Sequence, residues 1–279
     1  MVTVVADSMP SAVHNIQRGG LPTLMELLNA GAPRMALSLI MIGGVCWLAT
    51  YVWAIRQGHR ERVTTIPFVA VALNITWEVV HSVVYPPPRQ IDLVTNLAWL
   101  VLDLLILFQV FRYGRARQTV LEIANHWPAV VIGTLVLAFA GHLTFHRHVT
   151  ANSIFPDESG AIPAFIINLV MSVLFVSMYY SRADGAGLSK QVAWGKCIGT
   201  ACYSVGNVMI LRRIPDVRFL VQVQMKGTDK WLPAGEIGNT TIHPGFLYFL
   251  FIGITIFDVL YLWLLYRGSH ATRQVPGTP

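Results

Sequence analysis

The chain has 279 residues, is 54% hydrophobic and only 12% charged, and its mean hydropathy is +0.55. That is about half the charge of a typical soluble domain, which excludes an ordinary water-soluble globule. The net charge of +6 speaks first of orientation in a bilayer, because basic residues in membrane chains mark the cytoplasmic side, and no nucleic-acid partner is expected.

Apolar runs of about twenty residues, the length that crosses the hydrocarbon of a bilayer, fall at 35–55, 66–85, 91–111, 128–145, 162–181, 191–211 and 245–266. The expected fold is all-α, a polytopic membrane protein built as a bundle of seven transmembrane helices. Pro67, Pro128, Pro163 and Pro244 stand at span starts, where a missing N–H costs nothing, and Pro86, Pro87 and Pro88 close the second span. Residues 1–34 form an N-terminal extension, too weakly apolar for a signal peptide, with an interfacial helix expected at Leu21 to Ala30. Residues 35–266 form the membrane domain and 267–279 the tail.

Arg56, Arg60, Arg62, Arg112, Arg115, Arg117, Arg182, Lys190, Arg267 and Arg273 lie in the loops and tail on one side. The other side has Arg18, Arg34, Arg89, Arg147 and the long 212–244 connection. This bias places the N-terminus outside and the C-terminus in the cytoplasm. In the long outer loop, Phe219, Val221, Val223 and Met225 alternate before a turn at Thr228 and Asp229, a strand or hairpin signal, and the loop is expected to act as a lid.

A charge near the bilayer centre costs about 2.5 to 3.5 kcal/mol even on the lenient insertion scale, so the ionisable residues inside spans carry the most information. These are Glu78, Asp103, Lys196 and Asp258. Asn74, Glu78, His81 and Tyr85 follow steps of 4, 3 and 4 and so share one helix face. Asp92, Asn96, Trp99 and Asp103 repeat the pattern, as do Lys196, Thr200, Tyr203 and Asn207. Tyr248, Phe251, Thr255 and Asp258 make a similar stripe, with Tyr261 one turn on. Such stripes also hold helices together through interhelical hydrogen bonds, the structural reading for Asn96, Asn168, Thr200 and Asn207. Gly195 and Gly199 form a close-packing pair. Asp103 and Lys196 are candidates to neutralise each other, which leaves no second cation within the spans for Glu78 or Asp258.

Glu78 stands roughly 10 Å and Asp258 roughly 20 Å below the outer ends of their spans at a helical rise of about 1.5 Å per residue. Acids at two heights in one cavity suit an elongated, lipid-like ligand. An apolar pocket keeps an acid without a counter-cation protonated near neutral pH, and such a group can protonate an epoxide or alkene of a polyprenyl chain. The cations that follow are held by aromatic faces at about 0.5 to 2 kcal/mol apiece without a nucleophile to quench them. Trp77, Trp99, Tyr203, Tyr248, Phe251 and Tyr261 are the candidates, although bundle packing and an interfacial belt also use such rings. Asn74, His81, Asn96 and Asp103 complete the candidate substrate-binding set.

The stretch Asn74-Ile-Thr-Trp-Glu78 in the second span, with Phe257-Asp258-Val-Leu-Tyr261 in the last, resembles the integral-membrane terpene cyclases of fungal meroterpenoid pathways, the pyripyropene cyclase-like family, and their bacterial relatives acting on prenylated indoles. The resemblance spans roughly residues 35 to 266. It implies proton-initiated, metal-independent cyclisation of a prenyl chain with Glu78 and Asp258 as the two essential acids. The N-terminal extension and the 212–244 loop depart from the family pattern. The expected partners are a prenylated small molecule, with a farnesyl-type chain on an aromatic or indole head, and the lipid bilayer.

No DDxxD or DxDD run exists, and neither a metal nor a cofactor is expected. His142, His146 and His148 sit at a span end and read as a solvated interface. Glu78-x-x-His81 resembles half of a di-iron motif without its second half, so His81 is read as a partner of the acid or a wall residue. Cys46, Cys197 and Cys202 read as packing. The alternative from another class is a proton-coupled small-solute transporter with a Glu78, Asp103 and Asp258 relay, against which stands the lack of an internal repeat. A lycopene-type cyclase, suggested by Pro156-Asp157-Glu158, lacks a second acid at Ser159. A retinal photoreceptor lacks a lysine in the last span.

Overall fold

The apolar runs become helices of closely similar extent. The computed structural model describes residues 33–86, 90–147, 160–213, 223–224, 231–232 and 244–271. Helix α1 is Arg34–Glu61, α2 Phe68–Val79, α3 Gln90–Tyr113, α4 the short Leu121–Asn125, α5 Trp127–Phe145, α6 Ala161–Ser181, α7 Lys190–Arg213 and α8 Pro244–Ala271. A two-residue antiparallel ladder pairs Val223 with Leu232 and Gln224 with Trp231, the hairpin expected in the long connection. The interfacial helix at Leu21 to Ala30, the Pro156-Asp157-Glu158 motif, His148 and most of the 212–244 loop lie outside the described residues.

The expectation of seven crossings is met only in part. Arg34–Glu61, Leu93–Tyr113, Trp127–Phe145, Ile162–Ser181 and Gly245–Gly268 are long and apolar enough to cross a membrane. The apolar helix Phe68–Val84 is shorter, and α7 carries Lys190, Lys196, Arg212 and Arg213 along its length. Trp194, Ile198 and Val205 of α7 are exposed on its outer side, while Lys196 is buried.

Packing follows from small residues. Helices α1 and α7 make the most extensive interhelical contact. A Cβ on Gly43 would meet the Gly199 carbonyl, one on Gly195 the Thr50 hydroxyl, and one on Gly206 the Ala36 carbonyl. Residues therefore ascend on one helix as they descend on the other, and the two run antiparallel with backbones in near contact, as the Gly195 and Gly199 pair predicts. Helix α8 rests on α6 and α7, and α2 rests on α3, α5 and α6.

The principal core contains Tyr51, Ile75, Ile106, Met171, Phe175 and Tyr261. Polar side chains tie its helices together: Gln109 Nε2 donates to the Ile55 carbonyl at 2.8 Å, and Trp127 Nε1 to the Val110 carbonyl at 2.9 Å. Val101, Leu104, Leu105 and Phe108 on α3 and Ile252, Ile256 and Val259 on α8 are exposed. Large apolar residues on the outside of the bundle, with carboxyls and an ammonium inside, invert the soluble pattern and suit lipid as the solvent.

Candidate active site

Helix α2 changes its winding two residues after Glu78. Val80–Val84 form a π-helical turn in which the Tyr85 N–H donates to the Val80 carbonyl at 2.7 Å. Such a bulge reorients the side chains that follow it and recurs at functional sites. His81 lies inside the turn and is buried. Its Nδ1 donates to the Trp77 carbonyl at 2.9 Å, and its ring stacks on Trp77 with centroids 4.9 Å apart. The hydrogen bond of its Nδ1 thus goes to backbone and not to Glu78. Trp77 Nε1 in turn donates to the Gly160 carbonyl at 2.9 Å.

Gly160 caps α6 with a φ of 67°, in the left-handed region that favours glycine. The His81 ring occupies the place a Cβ would take there. Gly160→Ala is therefore expected to cost about 1 to 3 kcal/mol, from the left-handed backbone and the displaced ring. The midpoint of thermal unfolding in detergent reads this cost; an unchanged midpoint contradicts the packing described.

Glu78 is 4% exposed and Asp103 fully buried. The two carboxyls, on α2 and α3, stand close enough to act on each other electrostatically. Tyr51 of α1 donates its hydroxyl to Asp103 Oδ2 at 3.0 Å, and Asn74 Nδ2 donates to the Tyr51 oxygen at 2.9 Å. The Trp99 ring meets the Tyr51 ring edge-on at 4.9 Å. Glu78 Oε2 and Asp103 Oδ1 are buried and make no hydrogen bond among the described residues. Asn74, Glu78, Trp99 and Asp103 are thus brought together, and Tyr51 is their unforeseen centre.

Asp258 stands in a second cluster. Lys196 Nζ of α7 donates to Asp258 Oδ1 of α8 at 2.5 Å and to Ser172 Oγ of α6 at 2.6 Å. This corrects the expected pairing of Lys196 with Asp103 and the expectation that Asp258 lacks a cation. Asp258 Oδ2 is buried without a hydrogen bond among the described residues. The clusters share no hydrogen bond, but rings of α1 connect them: Lys196 Nζ lies 5.7 Å from the Trp47 ring centroid, and Trp47 lies 6.3 Å from the Tyr51 ring.

The remaining candidates spread along the bundle. Tyr261 is buried against Phe175, ring centroids 5.1 Å apart, and Phe251 packs on Phe165 at 4.8 Å in a cluster that includes Tyr248. Tyr203 is 38% exposed and lies against Gly43. Asn96 donates to the His81 carbonyl at 3.4 Å and Asn168 to Thr200 Oγ1 at 3.4 Å, both as interhelical glue. Asn207 bonds within its own helix to the Tyr203 carbonyl, so its glue role is not seen.

His142 and His146 are each 8% exposed, which corrects the solvated reading. His142 Nε2 donates to the Leu73 carbonyl at 3.1 Å, and Tyr85 stacks on His146 at 3.9 Å. Among the described residues no cluster of three or more His, Cys, Asp or Glu side chains is arranged to hold a metal ion. A hollow of about 630 Å³ opens at the loop end of the helices beside Arg117, Arg182 and Asp184, and no predicted site residue lines it.

The family model of the Pyr4-like transmembrane terpene cyclases matches residues 32–218, a stretch that includes Glu78, Asp103 and Lys196 and ends before Asp258. Terpene cyclase terB of Tolypocladium album is 27% identical over 169 residues, 60% of this chain and 68% of that protein. Terpene cyclase ltmB of Epichloe festucae var. lolii is 24% identical over 169 residues, 60% and 72% of the two chains. The Pyr4-family terpene cyclase mfmH of Annulohypoxylon moriforme is 27% identical over 173 residues, 58% and 65% of the two. These relatives lend no support to the transporter alternative. No solved structure matches the chain.

Proposed function

The chain belongs to the Pyr4-like transmembrane terpene cyclases, and on that premise we propose that it cyclises the prenyl chain of a prenylated aromatic, indole or meroterpenoid precursor by protonating it, without a metal or cofactor. The supporting observation is the Glu78 and Asp103 pair. Two interacting carboxyls buried in an apolar bundle, with no lysine or arginine bonded to either among the described residues, repel each other as anions, so the pair retains a proton. Glu78 is the donor in this reading, and Asp103, held by Tyr51 and Asn74, supports it.

Protonation of a terminal alkene or epoxide generates a cation, and successive double bonds close rings onto it. Trp99, Trp77, Tyr248, Phe251 and Tyr261 offer π-faces to the migrating charge, while the apolar bundle keeps out water that would quench it. Asn74, His81, Asn96 and Asp103 shape the polar wall, and Tyr203 borders the substrate path. All seven principal helices cross the membrane in this reading, with the N-terminus outside, the tail in the cytoplasm and the 212–244 loop over the outer mouth. The host is a bacterial plasma membrane or the endoplasmic reticulum.

The decisive experiment incubates membranes containing the full chain with a panel of farnesylated aromatics and follows products by chromatography and mass spectrometry. A cyclic isomer of unchanged mass is expected. Recovery of only unaltered substrate across the panel, from protein demonstrably in the membrane, overturns the reading.

A further inference from the structure

Three carboxyls and one ammonium are buried near the middle of the bundle: Glu78, Asp103, Asp258 and Lys196. Lys196 is the one Lys or Arg side chain that is buried among the described residues, so which carboxyl it joins decides how charge divides. It joins Asp258 at 2.5 Å and anchors its second hydrogen bond on Ser172 at 2.6 Å. A buried lysine joined to a carboxyl in this way is a charge-assisted pair, in which each ion compensates the other. Asp258 Oδ1 is thereby engaged and Oδ2 is left as a buried, unengaged acceptor. The Glu78 and Asp103 pair has no such cation among its bonded partners and keeps its proton.

We infer that Lys196 is a positioning residue that holds Asp258 as a carboxylate, and that the two essential acids are thereby divided: Glu78 donates the proton that starts cyclisation, and Asp258 Oδ2 accepts the proton that ends it. The inference rests on the cyclase reading above. In the first step the Glu78 O–H bond breaks; its proton takes the π pair of the terminal C=C bond to form a C–H bond, or bonds to an epoxide oxygen whose C–O bond opens to a hydroxyl, and either way a cation is left on carbon. The π electrons of each following double bond then form a new C–C bond. In the last step a C–H bond beside the final cation breaks, its electron pair becomes a C=C bond, and the proton goes to Asp258 Oδ2. Product and substrate are isomers. The enzyme resets when one proton leaves Asp258 and one returns to Glu78, and the total charge of enzyme plus substrate is constant from the first step to the last.

The test is the pH dependence of Lys196→Met. The titratable groups facing Asp258 are Lys196 and the Cys197 thiol of α7, with Tyr261 one turn along its own helix; α6 presents the un-ionised Ser172. Without the ammonium the buried Asp258 takes up a proton at low pH and regains its acceptor form only as pH rises. Turnover per folded molecule, as a ratio of Lys196→Met to wild type, is therefore expected to climb as pH rises, by at most about tenfold per unit. Taking the ratio removes the titration of Glu78, which both proteins share. A purely packing role lowers turnover equally at every pH.

The double variant Lys196→Met with Asp258→Asn guards against misfolding, because it removes both charges and leaves no uncompensated ion. It is expected to accumulate in membranes and to give less than about 1% of wild-type turnover at all pH, a loss of the size general-base removal produces. A flat ratio for folded Lys196→Met, inactivity of that folded variant at every pH, or substantial turnover by the double variant overturns the inference. Failure of the wild type itself to make an isomer overturns instead the cyclase reading beneath it.

Discussion

Glu78→Gln is expected to lower turnover by about 10²- to 10⁴-fold, the range in which a positioned general acid contributes, while the protein accumulates in membranes as the wild type does. The amide has the shape and neutrality of a protonated carboxyl, so it satisfies the same buried space and the same interaction with Asp103. What it lacks is a proton it can release. Isomer formation is read by mass spectrometry, and accumulation and unfolding midpoint are read on the same membranes. Turnover near the wild-type level from Glu78→Gln removes the proton donor from the mechanism. Loss of both protein and activity would make Glu78 a folding residue.

Asp258→Leu is expected to act on stability as strongly as on activity. It strands the Lys196 ammonium, 2% exposed, in an interior where its one remaining bonded partner among the described residues is the Ser172 hydroxyl. Breaking a buried pair from one side costs about 3 to 5 kcal/mol, because the partner remains as an uncompensated charge. Adding Lys196→Met to Asp258→Leu is expected to recover most of that cost, since an apolar pair of similar volume is tolerated where an ion pair stood. A double-mutant cycle on unfolding midpoints in detergent measures the coupling. Additive losses would mean that the two side chains do not act as a pair. Recovery of stability without recovery of product is the expected outcome.

How far the amino-acid order reaches can be judged from particular residues. The helices were legible because hydrophobic run length is a one-dimensional property, and the predicted limits of 128–145 and 162–181 match Trp127–Phe145 and Ala161–Ser181 almost residue for residue. The stripe of Asn74 and Glu78, and the stripe of Trp99 and Asp103, were legible from helical spacing, and the two meet across α2 and α3. Tyr51 and Trp47 were overlooked. A Trp and a Tyr four residues apart on α1, with a phenol hydroxyl in the middle of an apolar span, were the available signal. The π-helical turn after Glu78 has no marker in residue type.

By itself the sequence determined a multi-pass helical membrane protein, the few ionisable residues its spans carry, and the family resemblance around Glu78 and Asp258. Only the tertiary structure decided which charges meet. Helical spacing places residues on a face but leaves free the rotation of each helix about its axis, and Lys196 can be aligned on paper with Asp103 or with Asp258. Gly195 and Gly199 resolve the choice: with their face pressed against α1, Lys196 lies about 100° around the helix from Gly195 and reaches α6 and α8. Backbone contact at two glycines thus sets the partner of an ammonium several ångströms away, because close-packed helices cannot turn once their small residues are in register.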